Sequence, residues 1–395
     1  MDLRDNPEEA AFRADARAWL EANLPCDWGT PAYQKPQSPA EEVDFLRHWQ
    51  RQLYDGGWAG LDWPEAYGGR DVGIIQNMIW NEEYMRLRAP NQISMSVGTS
   101  LVGPTLIARG EEWQKERFLA PMLKGEEVWC QGFSEPNAGS DLASLRTRGT
   151  LVGDEVVVNG QKTWTSFAHQ SDWCILVVRT DPESVRHRGL SFLLVDMKTP
   201  GITIRPLVEM TGHAWFNEVF FDDVRVPIRN LVGEIDKGWD IVMTTLSVER
   251  GTSAQHAKLF ADLELLIEAA RRTPRAGRTA ADDPLVRQKI AGFAAEMMVM
   301  RMSAYRNAWA LLEKGVPGPE GSTLKVFWSE LDQRMKAAAI EILGPRGMVP
   351  EGDPLALDDG YWAYEALWSR AATIYAGTSE VQRNIIANRV LGLPR

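Results

Sequence analysis

Apolar residues recur at helical spacing from the start of the chain. Residues 8–23 set Ala11, Ala14, Ala18 and Leu20 into a helical repeat that stops before Pro25. Pro31, Pro36 and Pro39 make 27–39 a loop. Helix resumes near residue 38 and runs to 53. A Gly- and Trp-containing loop follows over 56–69, and helical patterns return at 76–88 and 111–123.

The pattern changes after Lys124. Glu155-Val156-Val157-Val158 leads into Asn159-Gly160, a dipeptide that predicts a hairpin turn. Short β-branched and aromatic runs follow at 174–179, 190–195, 202–207 and 218–221, split by turn residues. Their close spacing predicts an antiparallel barrel or sandwich, not parallel βαβ units. After Pro227 no proline interrupts the chain until Pro274, and helical spacing returns. Further helices are predicted at 284–314, 322–343 and 379–391. The plan is therefore helical over 1–124, β over 125–232 and helical over 233–395.

Charge and cysteine content narrow the class. The 395 residues carry a net charge of -11, which argues against non-specific nucleic-acid binding. Cys26, Cys130 and Cys174 are an odd, scattered set, neither a disulfide framework nor a zinc ribbon. The longest clean apolar run, 173–178, is far too short to span a membrane. Met1-Asp2-Leu3-Arg4-Asp5 has no hydrophobic stretch behind it, so no signal peptide is expected. These features predict a reducing, cytoplasmic enzyme. There is no GxGxxG after a strand, no Walker loop, no GxSxG elbow and no HExxH. The five histidines lack metal-ligand spacing, so no metal site is expected.

Three places offer chemistry. Glu249 follows Val242 and Leu246 on one face of a predicted helix. Apolar neighbours raise a carboxyl pKa toward the range of a general base. An ion-paired glutamate fits the same position, and position alone favours it. Residues 133–141 form a loop of small residues, hydroxyls and backbone N–H groups, suited either to a ring-containing polar ligand or to a plain turn. Ser379 and Gln382 have capping-box spacing, so they predict a capped helix start, which also favours negative charge.

Four blocks now stand in order: Phe133-Ser134-Glu135-Pro136-Asn137-Ala138-Gly139-Ser140-Asp141, Asn159-Gly160-Gln161-Lys162-Thr163-Trp164-Thr165-Ser166, Phe220-Phe221-Asp222-Asp223-Val224-Arg225-Val226-Pro227, and Ile374-Tyr375-Ala376-Gly377-Thr378-Ser379-Glu380-Val381-Gln382-Arg383-Asn384. With them the chain resembles the acyl-CoA dehydrogenases over essentially its full length. The resemblance implies a mixed α and β, three-part fold: N-terminal helical domain, middle antiparallel β-barrel domain, C-terminal helical bundle. It implies oxidation of an acyl-CoA to the trans-2-enoyl-CoA. A carboxylate takes the α-proton, N5 of FAD takes the β-hydride, and an electron-transfer flavoprotein reoxidises the flavin. By motif, Gln131, Phe133, Ser134, Gly139 and Ser140 correspond to flavin and pantetheine contacts. Trp164 and Ser166 correspond to contacts packing on the flavin ring system. Thr378 and Glu380 correspond to positions on the pyrophosphate and ribose side.

The sequence departs from the commonest family pattern where many members carry the catalytic glutamate. Ala376 stands there. A second group, resembling isovaleryl- and long-chain-type enzymes, carries the base on the long helix after the β domain, where Glu249 and Arg250 fall. The resemblance thus makes Glu249 the expected base and sets Arg250 near the active site, in a catalytic or an ion-pairing role. The Ala376 backbone N–H keeps the family's contact to the thioester oxygen, a donor worth roughly 3 kcal/mol by analogy with other oxyanion sites. Arg275-Ala276-Gly277-Arg278-Thr279 stands where family homotetramers carry Arg-x-x-Phe-Gly, and Glu341-Ile342-Leu343-Gly344-Pro345 where they carry Gln-x-x-Gly-Gly. The part of the flavin site built across subunits is thus altered. The expected assembly is a homotetramer, or a heterotetramer with a related chain as in bacterial steroid side-chain enzymes. A flavin monooxygenase or oxidase on the same fold is a third reading.

Overall fold

The structure is a computed structural model. It describes residues 4–30, 32–251, 255–314 and 318–394; the side chains of 248–251 and 314 lie outside the description. The helices at the start are α1 (Pro7–Asn23), α2 (Pro39–Asp55), α3 (Ile74–Arg86), α4 (Ile93–Ser96), α5 (Gly103–Arg109) and α6 (Glu112–Leu123). The strands are β1 (Trp129–Gly132), β2 (Arg148–Val152), β3 (Glu155–Ser166), β4 (Trp173–Arg179), β5 (Leu190–Asp196), β6 (Ile202–Leu207), β7 (Phe216–Pro227) and β8 (Leu231–Val232). Then come α7 (Gly238–Gly251), α8 (Gln255–Arg272), a ribbon of β9 (Pro274–Arg275) and β10 (Arg278–Thr279), α9 (Pro284–Lys314), α10 (Gly321–Leu343), α11 (Tyr361–Trp368) and α12 (Ser379–Ile385). Helices, a middle sheet and helices again is the order the sequence predicts. Among the described residues no helix is long and apolar enough to cross a membrane.

By packing the chain divides into two units. One contains α1, α3 and the helices from α8 onward. Asn6 opens α1 with a reciprocal cap: its side chain accepts from Glu9 N–H, and Glu9 accepts from Asn6 N–H, both at 2.9 Å. Arg13 and Arg17 of α1 clamp Glu83 of α3, a carboxylate almost wholly out of water. Leu259, Leu263 and Leu266 of α8, Met297 and Met300 of α9, and Leu331 and Met335 of α10 share one apolar core. Their i, i+3, i+4 and i+7 spacing puts each set on a single helix face.

The other unit contains α2, α4 to α6 and the sheet. The strand order is β6-β7-β3-β2-β4-β5-β8, with β1 pairing β4. Pairing is antiparallel except for β1 with β4 and a single β2–β4 bridge, as hairpin-length connections require. Alternate residues such as Val156, Val158, Val219, Phe221 and Val224 fill its core.

Asn159-Gly160 is not the predicted turn. Both residues lie inside β3, where the pairing with β7 shifts register between Val158 and Gly160. Gly160 is required by close approach: a Cβ there would stand 2.8 Å from the Thr147 Cα. The β2–β3 hairpin turns one step earlier, at Gly153 and Asp154, with Gly153 at φ +62°. Helix over 93–109, with a π-type stretch at 97–102, and α11 are not apparent in the sequence pattern. The first stretch reads as loop because it carries Gly98, Gly103 and Pro104. Both glycines serve helix packing, since a Cβ would meet Met122 at Gly98 and the Trp63 ring at Gly103.

Candidate active site

In the sheet unit, β1 runs straight into the 133–141 loop. Phe133 is buried, its ring edge-on to Phe192 at 6.0 Å. The loop closes on itself through Glu135 and Ala138, each N–H donating to the other's carbonyl at 3.0 Å. Gln131 and Ser134 are half-buried; Gly139 and Ser140 are exposed, with open space at Gly139.

Strand β3 presents the second group. Period two buries Val156, Val158 and Lys162 on the core face. A second register shift against β7, between Lys162 and Thr165, then breaks the alternation. Trp164 sits in that bulge at φ +58° and is 60% exposed, while Thr163 and Thr165 beside it are buried. Bulges of this kind re-aim a side chain. Phe216 of β7 meets the indole edge-on at 5.9 Å. Asn217, fully buried, fixes the far side by donating from Nδ2 to the Thr165 carbonyl at 3.0 Å; its Oδ1 pairs with His169 Nδ1 at 3.0 Å.

The loop and the bulge are joined. Thr163 N–H donates to the Ser134 carbonyl at 2.9 Å. The Lys162 ammonium, completely buried, donates to the Phe133 carbonyl at 3.0 Å and to Glu135 at 2.9 Å. Glu135 also accepts from the backbone N–H groups of Arg146 and Thr147 at 2.7 and 2.8 Å. Burial pushes the Glu135 carboxyl up, but Lys162, the Thr147 hydroxyl and the two backbone donors outweigh it and hold it below the usual carboxylate range. Burial draws Lys162 below the usual lysine range, and Glu135 offsets that only in part. Neither charged residue is among the sequence candidates. The signal for Lys162 was its parity with Val156 and Val158.

The other unit carries Ala376, Thr378 and Glu380. Ala376 lies at φ +52° and Gly377 at φ +88°. The cap of α12 is Thr378, not the expected Ser379: Val381 N–H donates to its hydroxyl at 3.2 Å. Gln382 does not close a capping box. Its amide reaches the Ala376 carbonyl at 3.0 Å and fixes the backbone before the helix. Its own backbone N–H and the Thr378 hydroxyl hold the exposed Glu380 carboxyl below its usual range.

Glu249 and Arg250 lie on the backbone of α7, but their side chains fall outside the described residues. Helix α7 is anchored to α5 by a buried Thr105–Thr245 hydroxyl pair at 2.9 Å. The segments expected to be altered are structured. Arg275 and Arg278 belong to the β9–β10 ribbon, whose turn has Ala276 and Gly277 both at positive φ. Arg275 pairs with Asp283 at 3.1 Å. Glu341 pairs with Lys289, so its charge is not left bare.

Sequence families match the chain from end to end. The acyl-CoA dehydrogenase N-terminal, middle and C-terminal domains match residues 6–126, 130–224 and 236–391. The acyl-CoA dehydrogenase IpdE1 of Mycobacterium tuberculosis is 42% identical over 392 residues, covering 97% of both chains. Two solved structures are similar over the full length of this chain and of theirs. A steroid acyl-CoA dehydrogenase, Tcur3481-Tcur3483, gives a TM-score of 0.87 at 30% identity. The ChsE4-ChsE5 complex of M. tuberculosis gives 0.87 at 32%. The chain therefore belongs to the acyl-CoA dehydrogenase family, FAD-dependent oxidoreductases that act on a CH–CH group.

Proposed function

We propose that this chain catalyses FAD-dependent α,β-dehydrogenation of an acyl-CoA thioester to the trans-2-enoyl-CoA, with Glu249 as the base. The observation that carries the flavin reading is Trp164. A large flat indole is held out of the fold at positive φ, while the fold buries its neighbours. Beside it stand the half-buried Ser134 and Ser166 and the buried Thr165 hydroxyl, which lacks a hydrogen-bond partner among the described residues. An apolar platform edged by hydroxyls fits a planar, polar-rimmed ring system.

Bound flavin supplies the acceptor for the substrate's β-hydride. Trp164, Ser134 and Ser166, with Gln131, Phe133, Gly139 and Ser140, would hold the ring and pantetheine. Thr378 and Glu380 would lie on the pyrophosphate and ribose side. Glu249 takes the α-proton. The Ala376 N–H donates to the thioester oxygen, where charge develops. An electron-transfer flavoprotein is the proposed acceptor. Replacing Glu249 with Gln should abolish flavin bleaching by acyl-CoA and leave FAD bound. Bleaching at the wild-type rate would remove Glu249 as the base.

A second reading concerns assembly: the chain is one subunit of a heteromer that handles steroid-derived acyl-CoA. The steroid enzyme and the ChsE4-ChsE5 complex support it. So does α9. Met297, Met300, Ala304 and Ala308 bury one side of that helix, yet Met298, Val299, Met302, Trp309 and Leu312 lie exposed on another. A helix apolar on both sides is suited to burial on both.

A further inference from the structure

The Lys162 ammonium spans the loop around Glu135 and the strand that bears Trp164. Three bonds tie these segments together within a few residues. Lys162 Nζ donates to the Phe133 carbonyl and to Glu135, and Thr163 N–H to the Ser134 carbonyl. Glu135 is tied in turn to the start of β2 by the Arg146 and Thr147 N–H groups. We infer that the Lys162–Glu135 pair is a latch that positions the 133–135 segment against the Trp164 bulge, so that both flavin-facing segments hold one geometry before the cofactor arrives. The inference rests on the flavin reading above. Neither residue is assigned a contact with flavin or substrate; both act through Ser134 and Trp164.

Burial makes the latch all-or-none. An ammonium with no exposure has no water to replace a lost carboxylate. Opposite charges held by additional backbone hydrogen bonds also leave few alternative arrangements. The β-bulge by itself fixes where Trp164 leaves the strand, but not how far the 133–135 loop stands from it. That distance is held by the Lys162 side chain together with the Thr163 N–H bond to the Ser134 carbonyl.

The test uses the full chain, co-expressed with its sister subunit if the chain made alone lacks FAD. In Lys162→Met the FAD Kd should rise at least tenfold. At saturating FAD, the visible circular dichroism of the bound flavin should also change. Val224→Ala, a core truncation in β7, serves as the control. It should lower Tm comparably while leaving the FAD Kd and the spectrum at wild-type values. If Lys162→Met does not fold, the double variant E135Q/K162M, which leaves no unpaired buried charge, carries the same readout. Wild-type Kd and spectrum in the latch variant would overturn the latch alone. An equal spectral change in Val224→Ala would overturn it too, since loosening the sheet would then suffice. Wild-type protein that binds no FAD in either preparation would overturn the flavin reading, and the latch with it.

Discussion

Trp164 at φ +58° and Ala376 at φ +52° are non-glycine residues in the left-handed region. An L-residue with a Cβ costs roughly 1–2 kcal/mol in that region. At Trp164 the cost accompanies a gain, an indole aimed outward. At Ala376 a methyl group gains nothing evident, and only the backbone N–H carries the proposed contact. Ala376→Gly should therefore raise unfolding free energy by about 1 kcal/mol in urea titration and keep the oxyanion donor. A loss of stability would mean that the methyl packs against something that offsets its strain. Trp164→Ala should barely move stability, because the ring is mostly exposed, and should raise the FAD Kd at least tenfold by direct titration. Trp164 was legible in the sequence as part of a motif. Its bulge was not, because a bulge depends on the partner strand β7, some fifty residues on. Asn159-Gly160 misled for the same reason: a dipeptide that suits a turn also suits a close strand crossing.

At the scale of elements, the helical unit hides charge where the pattern predicts a solvated face. Lys336 of α10, fully buried, pairs with Asp262 of α8 and lies 3.5 Å from Glu365 of α11. Lys258 bonds Asp262 at 2.9 Å and Glu365 at 2.7 Å, and the Tyr361 hydroxyl also reaches Asp262. Three carboxylates, Asp262, Asp332 and Glu365, converge there, and the two ammonium groups stand among them in the role of a cation. Asp332 is the member left over. It is 3.9 Å from Lys336, and its Oδ1 has no hydrogen bond among the described residues. Burial pushes its pKa up to about 6 against the pull of Lys336 and Lys258. The sign follows. A carboxyl raised in the folded state costs stability above its folded pKa, and that cost disappears as pH falls from about 6 toward 4. Asp332→Asn should therefore stabilise the protein at pH 7, by up to about 3 kcal/mol. Wild type should close about half of the gap as pH is lowered to 5. Tm measured for both proteins across that range decides it; a constant difference would mean Asp332 titrates alike in the folded and unfolded chains, with no raised pKa. Asp262 is held low by the lysines, so its own titration falls below this window. Helix positions in this unit were legible from spacing. The buried Lys336 was not, because a periodic pattern assigns every charge to the outside unless its partners on other helices are known.

For the whole molecule, the question is what covers α9. Its buried side follows the sequence pattern, with Met297, Met300, Ala304 and Ala308 at helical spacing. Its exposed side has Met298, Met302, Trp309 and Leu312 at intervals of 4, 7 and 3, again one face of a helix. A helix apolar on two faces is suited to burial on both, but its sequence does not say whether the second cover comes from the same chain. In the structure, the same chain leaves that face exposed. Under the heteromer reading, the chain made alone should hold well under one FAD per polypeptide. Co-expression with the sister chain should restore the flavin in a complex of fixed ratio. Trp309→Glu should then reduce complex formation by at least the ~2 kcal/mol typical of a central aromatic, measured by light scattering on the co-expressed pair. Because Trp309 is 58% exposed, far-UV circular dichroism and Tm of the isolated chain should not change. A flavin-replete homo-oligomer of the chain alone would remove the heteromer reading. If Trp309→Glu nevertheless breaks that homo-oligomer, α9 would remain the assembly surface, with a second copy of this chain as its cover.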